Sequence, residues 1–175
     1  KFIIKNDEFK EQLVNTQYDK SIDFIFHGIG KKFSKCLNID EGLGNKSEIL
    51  SKIFKQVYTI EFNDELIELQ NIRFNEKRLN NISIIKSNLL RLPFPDNYFD
   101  GIWICASLLH IPKKEVKKTL LGFLRVLKPE GIIYIGVKEG NGESLIEKNN
   151  NPNNSKFYAF YSKEEFKELV ESCGF

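Results

Sequence analysis

Residues able to hold a charged, hydroxyl-bearing ligand recur in this chain at the ends of short apolar runs. The stretch Asn38-Ile39-Asp40-Glu41-Gly42-Leu43-Gly44-Asn45-Lys46-Ser47 carries two alternating glycines, which let the main chain pass a ligand with no Cβ in the way. A helix starting near Ser47 would aim its unpaired N–H groups and its dipole at the same place, favouring an anionic group there. Any tight connection from strand to helix needs such a turn too, and both readings stay open. Ser47 stands where the third glycine of GxGxxG would be, so that fingerprint is not completed. Some 17 residues past Gly44, Glu61 ends the run Val57-Tyr58-Thr59-Ile60-Glu61. A carboxylate at such a strand tip can accept hydrogen bonds from both hydroxyls of a ribose. The alternative is a solvated acid at the amino end of the next helix.

Candidates for moving a proton are few. His110 lies in Ser107-Leu108-Leu109-His110-Ile111-Pro112, and a histidine titrates in the range that general-base work requires. Packing or capping within the loop is the other reading. Lys138 and Glu139 follow a further apolar run. A buried Glu139 would orient a substrate amine or act as a base, and hydrogen bonding within its own loop is the alternative. Tyr158, Phe160 and Tyr161 would wall an apolar pocket or pack a helix onto a sheet. His27 has no assignable role. Cys36, Cys105 and Cys173 are odd in number and widely spaced, which excludes a disulfide framework and a CxxC metal or redox site and predicts a cytoplasmic setting. No metal ligand set is expected.

These residues need strands and helices to hold them. Runs rich in β-formers occur at residues 35–39, 57–61, 82–86, 99–106 and 131–137. Helical spacing fills the gaps. Residues 47–54 form one such segment, and residues 64–74 another, with Leu66, Leu69 and Ile72 on a face and Asn63 as its cap. Residues 113–127 carry Val116, Leu120, Leu124 and Leu127 on one stripe, and the capping box Ser162-Lys163-Glu164-Glu165 opens a last helix. This alternation predicts an α/β fold, a doubly wound and mainly parallel sheet with helices on both faces. Ligands then bind beyond the carboxyl ends of the strands, where strand order reverses. Residues before 35 read as a mixed helical region that caps the sheet or lids the site, and the polar stretch 149–155 reads as a mobile loop.

A length of 175 residues suits one domain. Hydrophobic residues make up 41% and charged residues 29%, the balance of a globular protein rather than a disordered or fibrous one. Against 24 acidic residues stand 26 basic ones, a net charge of +2 without a basic cluster, so nothing points to a nucleic acid or a membrane surface as partner. No apolar run approaches the ~18 residues of a membrane span, and Asp7 comes too early for a secretory signal. A small-molecule partner is the expectation that remains.

Four segments in order, "LNIDEGLG", "YTIE", "SNLLRLPFPDNYFDGIW" and "VLKPEGIIYI", together resemble the class I S-adenosylmethionine-dependent methyltransferases. Closer still, "FDGIWICASLLHIP" and "VKEGNGES" followed by "FYAFYSKEEFKEL" resemble a subgroup of small bacterial members. The resemblance runs from about Tyr18 to Phe175. It implies the Rossmann-like methyltransferase fold as a single domain over residues 1–175, with residues 1–34 as a helical cap or lid and 35–175 as the α/β core. Asp40, Gly42 and Gly44 would cradle the methionine part of the cofactor, Glu61 would hold the ribose, Asn88 and Leu89 would recognise the adenine, and Ala106 would line the methionine side. His110 and Glu139 are the catalytic candidates. Three positions depart from the family: Asn38 replaces the usual acid of the first strand, Asp40 the first glycine of the loop, and Asn88 a common aspartate. An asparagine hydrogen-bonds but does not pair with an ammonium as a carboxylate does. The chain stops at Cys173-Gly174-Phe175, where that fold adds a β-hairpin, and without it the last core strand is expected at an exposed edge. The implied activity is methyl transfer to an O, N or S atom of a small molecule. A fold-retaining binding protein and a tRNA or protein methyltransferase are the alternatives.

Overall fold

The computed structural model describes residues 2–6, 33–40, 42–148 and 151–175. In chain order the elements are β1 (Phe2–Asn6), β2 (Lys35–Asp40), α1 (Asn45–Leu50), β3 (Gln56–Glu61), α2 (Asp64–Glu76), β4 (Ile82–Lys86), β5 (Phe99–Cys105), a 3-10 turn (Leu108–His110), α3 (Lys113–Val126), β6 (Leu127–Val137), β7 (Glu143–Lys148), β8 (Asn151–Ala159) and α4 (Lys163–Ser172). The first six strands form one parallel sheet in the order β1-β6-β5-β2-β3-β4. Strand order reverses between β2 and β5, so a crevice opens beyond their carboxyl ends. β7 and β8 pair separately as an antiparallel hairpin.

Period-two alternation along buried strands divides the apolar side chains between two faces. Leu37, Ile39, Ile102, Ile104, Ile133 and Ile135 join Val116, Leu120 and Phe123 of α3 and Phe166 and Val170 of α4 on one face. Cys36, Val57, Trp103, Ile132 and Tyr134 join Leu50 and Phe54 on the other. There the Trp103 and Tyr134 rings stack at 4.0 Å. Local signals close the helices as anticipated: Asn63 Oδ1 accepts from Glu65 and Leu66 N–H at 2.9 and 3.1 Å, and Ser162 Oγ accepts from Glu165 N–H at 3.1 Å.

At the amino ends of the strands, Arg125 of α3 donates to the carbonyls of Leu92 and Phe94 and to Asp96. It thereby clamps the loop before β5, whose Phe94 and Tyr98 pack with Tyr58 and Phe99. Much of "LPFPDNYFD" thus builds the floor of the sheet and not its ligand end.

Four expectations need correction. Residues 2–6 form a strand and not a helix, and β1 pairs along β6 from Phe2↔Ile133 to Asn6↔Val137, which covers the edge expected to be exposed; residues 7–32 of the expected cap lie outside the described residues. From Asn151 the expected loop is a strand, because Phe157 and Ala159 turn into the core and draw the chain into a hairpin. Helix α1 begins at Asn45 and spans six residues, so Ser47 lies within it. Finally, α2 buries Gln70 and Phe74 while Leu69 and Ile72 stay 48% and 49% exposed. Its inward face is chosen by contacts to the glycine turn.

Candidate functional site

A cleft of about 300 Å³ lies beyond the carboxyl ends of β2 to β5. The end of β2, the end of β3 and the loops after β4 and β5 line it, while Gly42 and Gly44 of the loop after β2 are not among the lining residues. Ile39 comes from β2, Ile60, Glu61 and Phe62 from the end of β3, and Ser87 to Leu90 from the loop after β4. Ser107, His110 and Ile111 come from the turn after β5.

Glu61 is buried at the strand tip, where its Oε1 accepts from the main-chain N–H groups of Phe62 and Asn63 at 2.8 and 3.0 Å. No described residue donates to Oε2. Asn63 meanwhile caps α2, so one residue fixes the helix start and, with Phe62, the carboxylate. The acid is therefore held in one orientation beside apolar walls, with an oxygen left for a donor in the cleft.

The glycine turn is held from behind by α2. Gln70 Nε2 donates to the Gly42 carbonyl at 2.7 Å. Gly44 has φ 81°, and a Cβ there would lie 2.5 Å from Phe74 Cζ. Gly42 has φ 126°, and a Cβ there would meet nothing within 4 Å. One glycine is thus required by the helix behind the turn, and the other leaves open space in front of it.

Asn38 does not reach into the cleft. Its side chain is buried, with Nδ2 donating to Ser47 Oγ at 2.8 Å, and Ser47 Oγ is 2.5 Å from Thr59 Oγ1. This chain ties β2, α1 and β3 together, while Asn38 Oδ1 is buried without a partner. Asn38 is on this geometry a cross-link behind the site rather than a lining residue. Asp40 ends β2 opposite Cys105 of β5, at the reversal of strand order; its side chain lies outside the described residues.

Asn88 and Leu89 both line the cleft. Asn88 Oδ1 already accepts from Leu90 N–H at 3.0 Å and keeps a second lone pair. Ala106 stands just behind the lining, at φ 60° with its N–H on the Gly136 carbonyl. A left-handed conformation costs a residue with a Cβ roughly 1–2 kcal/mol, and here it turns the chain so that Ser107 faces the cleft. Ser107 Oγ donates to the Ile39 carbonyl at 3.1 Å, joining the two loops that flank the crevice. Sequence reasoning passed over Ser107 and Phe62, because a serine or phenylalanine after a strand carries no signal of its own.

His110 ends the 3-10 turn and lines the same cleft as Glu61, with Nδ1 2.7 Å from the Phe157 carbonyl of the hairpin. The Tyr158 ring meets it edge-on, at 4.8 Å and 64°. Glu139 does not join it. That side chain is exposed and outside the cleft, because Gly140 N–H to Tyr161 O and Tyr161 N–H to Lys138 O hold its loop against the start of α4. Tyr161 packs on Phe166, and burial, then the Glu165 and Glu143 carboxylates, pushes its phenol far above the ordinary value. Phe160 stacks on Tyr158 and Lys138 Nζ lies 5.7 and 5.5 Å from those two rings. Among the described residues no three His, Cys, Asp or Glu side chains gather as a metal site would need, and no helix is long and apolar enough to cross a membrane.

The arrangement offers a pinned carboxylate, apolar walls and an imidazole among the lining residues of the cleft, with a glycine turn outside that lining. These are groups that suit a nucleoside, with a proton acceptor beside it. Comparison with known proteins agrees. A family model described as a methyltransferase domain matches residues 37–135. The ubiquinone/menaquinone biosynthesis C-methyltransferase of Psychromonas ingrahamii is 31% identical over 137 residues, covering 75% of this chain and 50% of that protein. An S-adenosylmethionine-dependent methyltransferase structure from Clostridium acetobutylicum superposes with a TM-score of 0.74 at 15% identity, covering 94% of this chain and 82% of that one. Another from Methanosarcina mazei gives 0.73 at 23% identity, over 85% and 82%. The chain spans about half the length of the curated relatives it matches.

Proposed function

The chain belongs to the methyltransferase-domain family of class I S-adenosylmethionine-dependent enzymes, and we propose that it transfers the cofactor's methyl group to a small molecule held on the His110 side of the cleft. The observation that carries this is Glu61: a buried acid whose Oε1 is locked by two main-chain N–H groups and whose Oε2 takes no bond from a described residue.

In this reading the ribose hydroxyls donate to Glu61, and the adenine lies between Phe62 and Leu89 with its amine on Asn88. The methionine part passes over Gly42 and Gly44, toward Ala106. Asp40 is the acid at that end, since the Asn38 amide is committed to Ser47. The cofactor, when bound, supplies a methyl carbon on a sulfonium, open to in-line displacement. What remains for the protein is to align the acceptor, exclude water and take its proton.

Ile39, Ile60, Phe62 and Ile111 supply the apolar lining against which a bound ligand displaces water. A carbonyl only accepts, so the contact from Phe157 O places a proton on His110 Nδ1 and the neutral ring's basic lone pair on Nε2. That base suits an acceptor that must lose a proton: a phenolic or enolic O–H, an S–H, or an activated C–H. The named chemistry of the Psychromonas relative is C-methylation, so carbon joins the O, N and S atoms expected from sequence. Glu139 has no part in this mechanism.

Thermal unfolding with S-adenosylmethionine or S-adenosylhomocysteine tests the reading. Ligand at a hundred times its Kd adds about 2.7 kcal/mol, which for this size raises Tm by about 5–10 °C. Glu61→Ala is expected to abolish the rise, and an undiminished rise in that variant would remove the ribose assignment. Against a panel of phenols, enolisable dicarbonyls and thiols, His110→Gln is expected to lower S-adenosylhomocysteine release by roughly 100-fold or more. Equal rates in the two proteins would show that His110 is not the base.

A further inference from the structure

We propose that Gln70 is a positioning residue of the glycine turn: it draws the Gly42 carbonyl back against α2 and so turns the Leu43 N–H outward, as a fixed donor for an anionic oxygen of the bound ligand. That this oxygen belongs to the methionine end of the cofactor rests on the function proposed above; the orientation of the peptide rests on the bond itself.

For stability alone, a glutamine is a poor choice at this place in the helix. Gln70 is fully buried and uses only half of its amide: Nε2 donates to the Gly42 carbonyl at 2.7 Å, while Oε1 has no partner among the described residues. A buried polar atom without a partner destabilises a fold, and an aliphatic side chain of similar size carries no such penalty. Leu69 and Ile72 stand nearby on the same helix, yet α2 leaves them half exposed and turns Gln70 and Phe74 inward. These two side chains, four residues apart on one face, meet the two glycines of the turn. Phe74 fills the place of a Cβ on Gly44, and Gln70 holds Gly42. The helix is anchored on either side of them. Asn63 caps its start beside the Glu61 carboxylate, and Arg73 and Lys77 both donate to Glu48 Oε2 of α1, at 2.8 and 2.6 Å. The Gln70 amide is thus aimed from a fixed support.

The consequence for the turn follows from amide geometry. In a planar trans peptide the C=O of one residue and the N–H of the next point in opposite directions, and no cis peptide occurs among the described residues. With its oxygen on Gln70, the Gly42–Leu43 peptide therefore directs the Leu43 N–H away from α2. No described residue accepts that hydrogen, and Leu43 is exposed. Beside it a Cβ on Gly42 would meet nothing within 4 Å, and the φ of 126° at Gly42 is one that glycine adopts freely. The acceptor atoms of an amino-acid end are its carboxylate oxygens, and a main-chain N–H on an ionised oxygen makes one of the stronger hydrogen bonds. Some stability is given up at Gln70 for a donor that needs no reorganisation when the ligand arrives.

Calorimetric titration with S-adenosylhomocysteine and urea unfolding, made on the same variants, separate positioning from packing. Gln70→Leu and Gln70→Met fill the space without a donor. Both are expected to leave the urea midpoint unchanged or raised, because the orphaned Oε1 is gone, and to weaken S-adenosylhomocysteine by about 3- to 10-fold, the worth of one net hydrogen bond. A glutamine that served packing alone would lose stability and affinity together. NMR of the unaltered protein needs no variant: the Leu43 amide proton is expected to move downfield as S-adenosylhomocysteine binds. Undiminished affinity in both variants, a fall in stability that accounts for the fall in affinity, or a Leu43 amide indifferent to bound S-adenosylhomocysteine would each overturn the proposal. An unaltered protein that binds no S-adenosylhomocysteine would instead remove the cofactor reading. The peptide orientation is then judged in the free protein by the scalar coupling across the Gln70 Nε2–Gly42 carbonyl bond, whose absence would overturn it, so the two failures are distinguishable.

Discussion

Gly42 and Gly44 sit two residues apart in one turn, yet they are glycines for different reasons, and single substitutions separate them. At Gly44 a Cβ would press 2.5 Å from Phe74 Cζ at φ 81°. Alanine there pays for left-handed backbone and for displacing a buried ring, a loss expected at about 2–3 kcal/mol by denaturant unfolding. At Gly42 the same change meets no atom within 4 Å, so only backbone strain opposes it and the expected loss is about 1–2 kcal/mol. The ligand response reverses the order. Gly42→Ala places a methyl in the open space before the turn and is expected to remove most of the thermal shift given by S-adenosylhomocysteine. Gly44→Ala, measured below its own Tm, is expected to keep more of it. Equal ligand responses would mean that the open space at Gly42 is not part of the cofactor path.

Among the elements, the loop clamped by Arg125 is separable from the site. The guanidinium donates at 2.7 and 3.1 Å to the Phe94 and Leu92 carbonyls and at 2.8 Å to Asp96, all at the end of the sheet away from the cleft. Arg125→Ala is expected to cost about 1–2 kcal/mol in denaturant unfolding and to leave the cofactor shift intact. Arg125→Lys is expected to recover only part of the loss, because an ammonium lacks the planar fork. A lost cofactor shift would mean that the two ends of the sheet are coupled.

The same scale shows what a sequence reveals. Strands β2 to β6, the Asn63 and Ser162 caps and the acid at the tip of β3 were legible because each is written in a few adjacent residues. Strand β1, the hairpin and the exposed side of Glu139 were not. β1 depends on pairing with β6 far along the chain, and the polar run at residues 151–155 becomes a strand only because Phe157 and Ala159 find the core. Asn38 was expected as a cofactor contact and was not legible as a cross-link, since its partner Ser47, and Thr59 beyond it, come together only when two βα units are packed.

At the scale of the whole molecule, paired carboxylates on one side and buried thiol and phenol groups on the other set a pH window for stability. On the acid side, burial pulls the Asp100 carboxyl upward, but the Lys128 ammonium and the Lys35 and Ser34 N–H groups outweigh it and hold the pKa low. The Lys77 and Arg73 bonds do the same for Glu48. Stability from these carboxylates is complete above the ordinary carboxylate range and is lost as pH falls through their depressed folded values. On the alkaline side the sign reverses. Burial, and then Asp100, raises the Cys36 thiol, while burial, then Glu165 and Glu143, raises the Tyr161 phenol. Below about pH 8 both groups are protonated whether folded or not, and they contribute no pH dependence. Above their ordinary values the unfolded chain releases these protons and the folded chain keeps them, so stability falls as pH rises. Tyr161→Phe isolates one contribution. The Tyr161 hydroxyl is buried without a partner, so its removal is expected to leave stability at pH 7 unchanged or raised by about 1 kcal/mol. Between pH 9 and about 11 the variant is expected to lose less stability than the parent, because one ionisation that favours the unfolded chain is gone. Urea midpoints at the two ends of that range measure the difference. Parallel decline in both proteins would assign the alkaline limb to Cys36 and not to the phenol under α4.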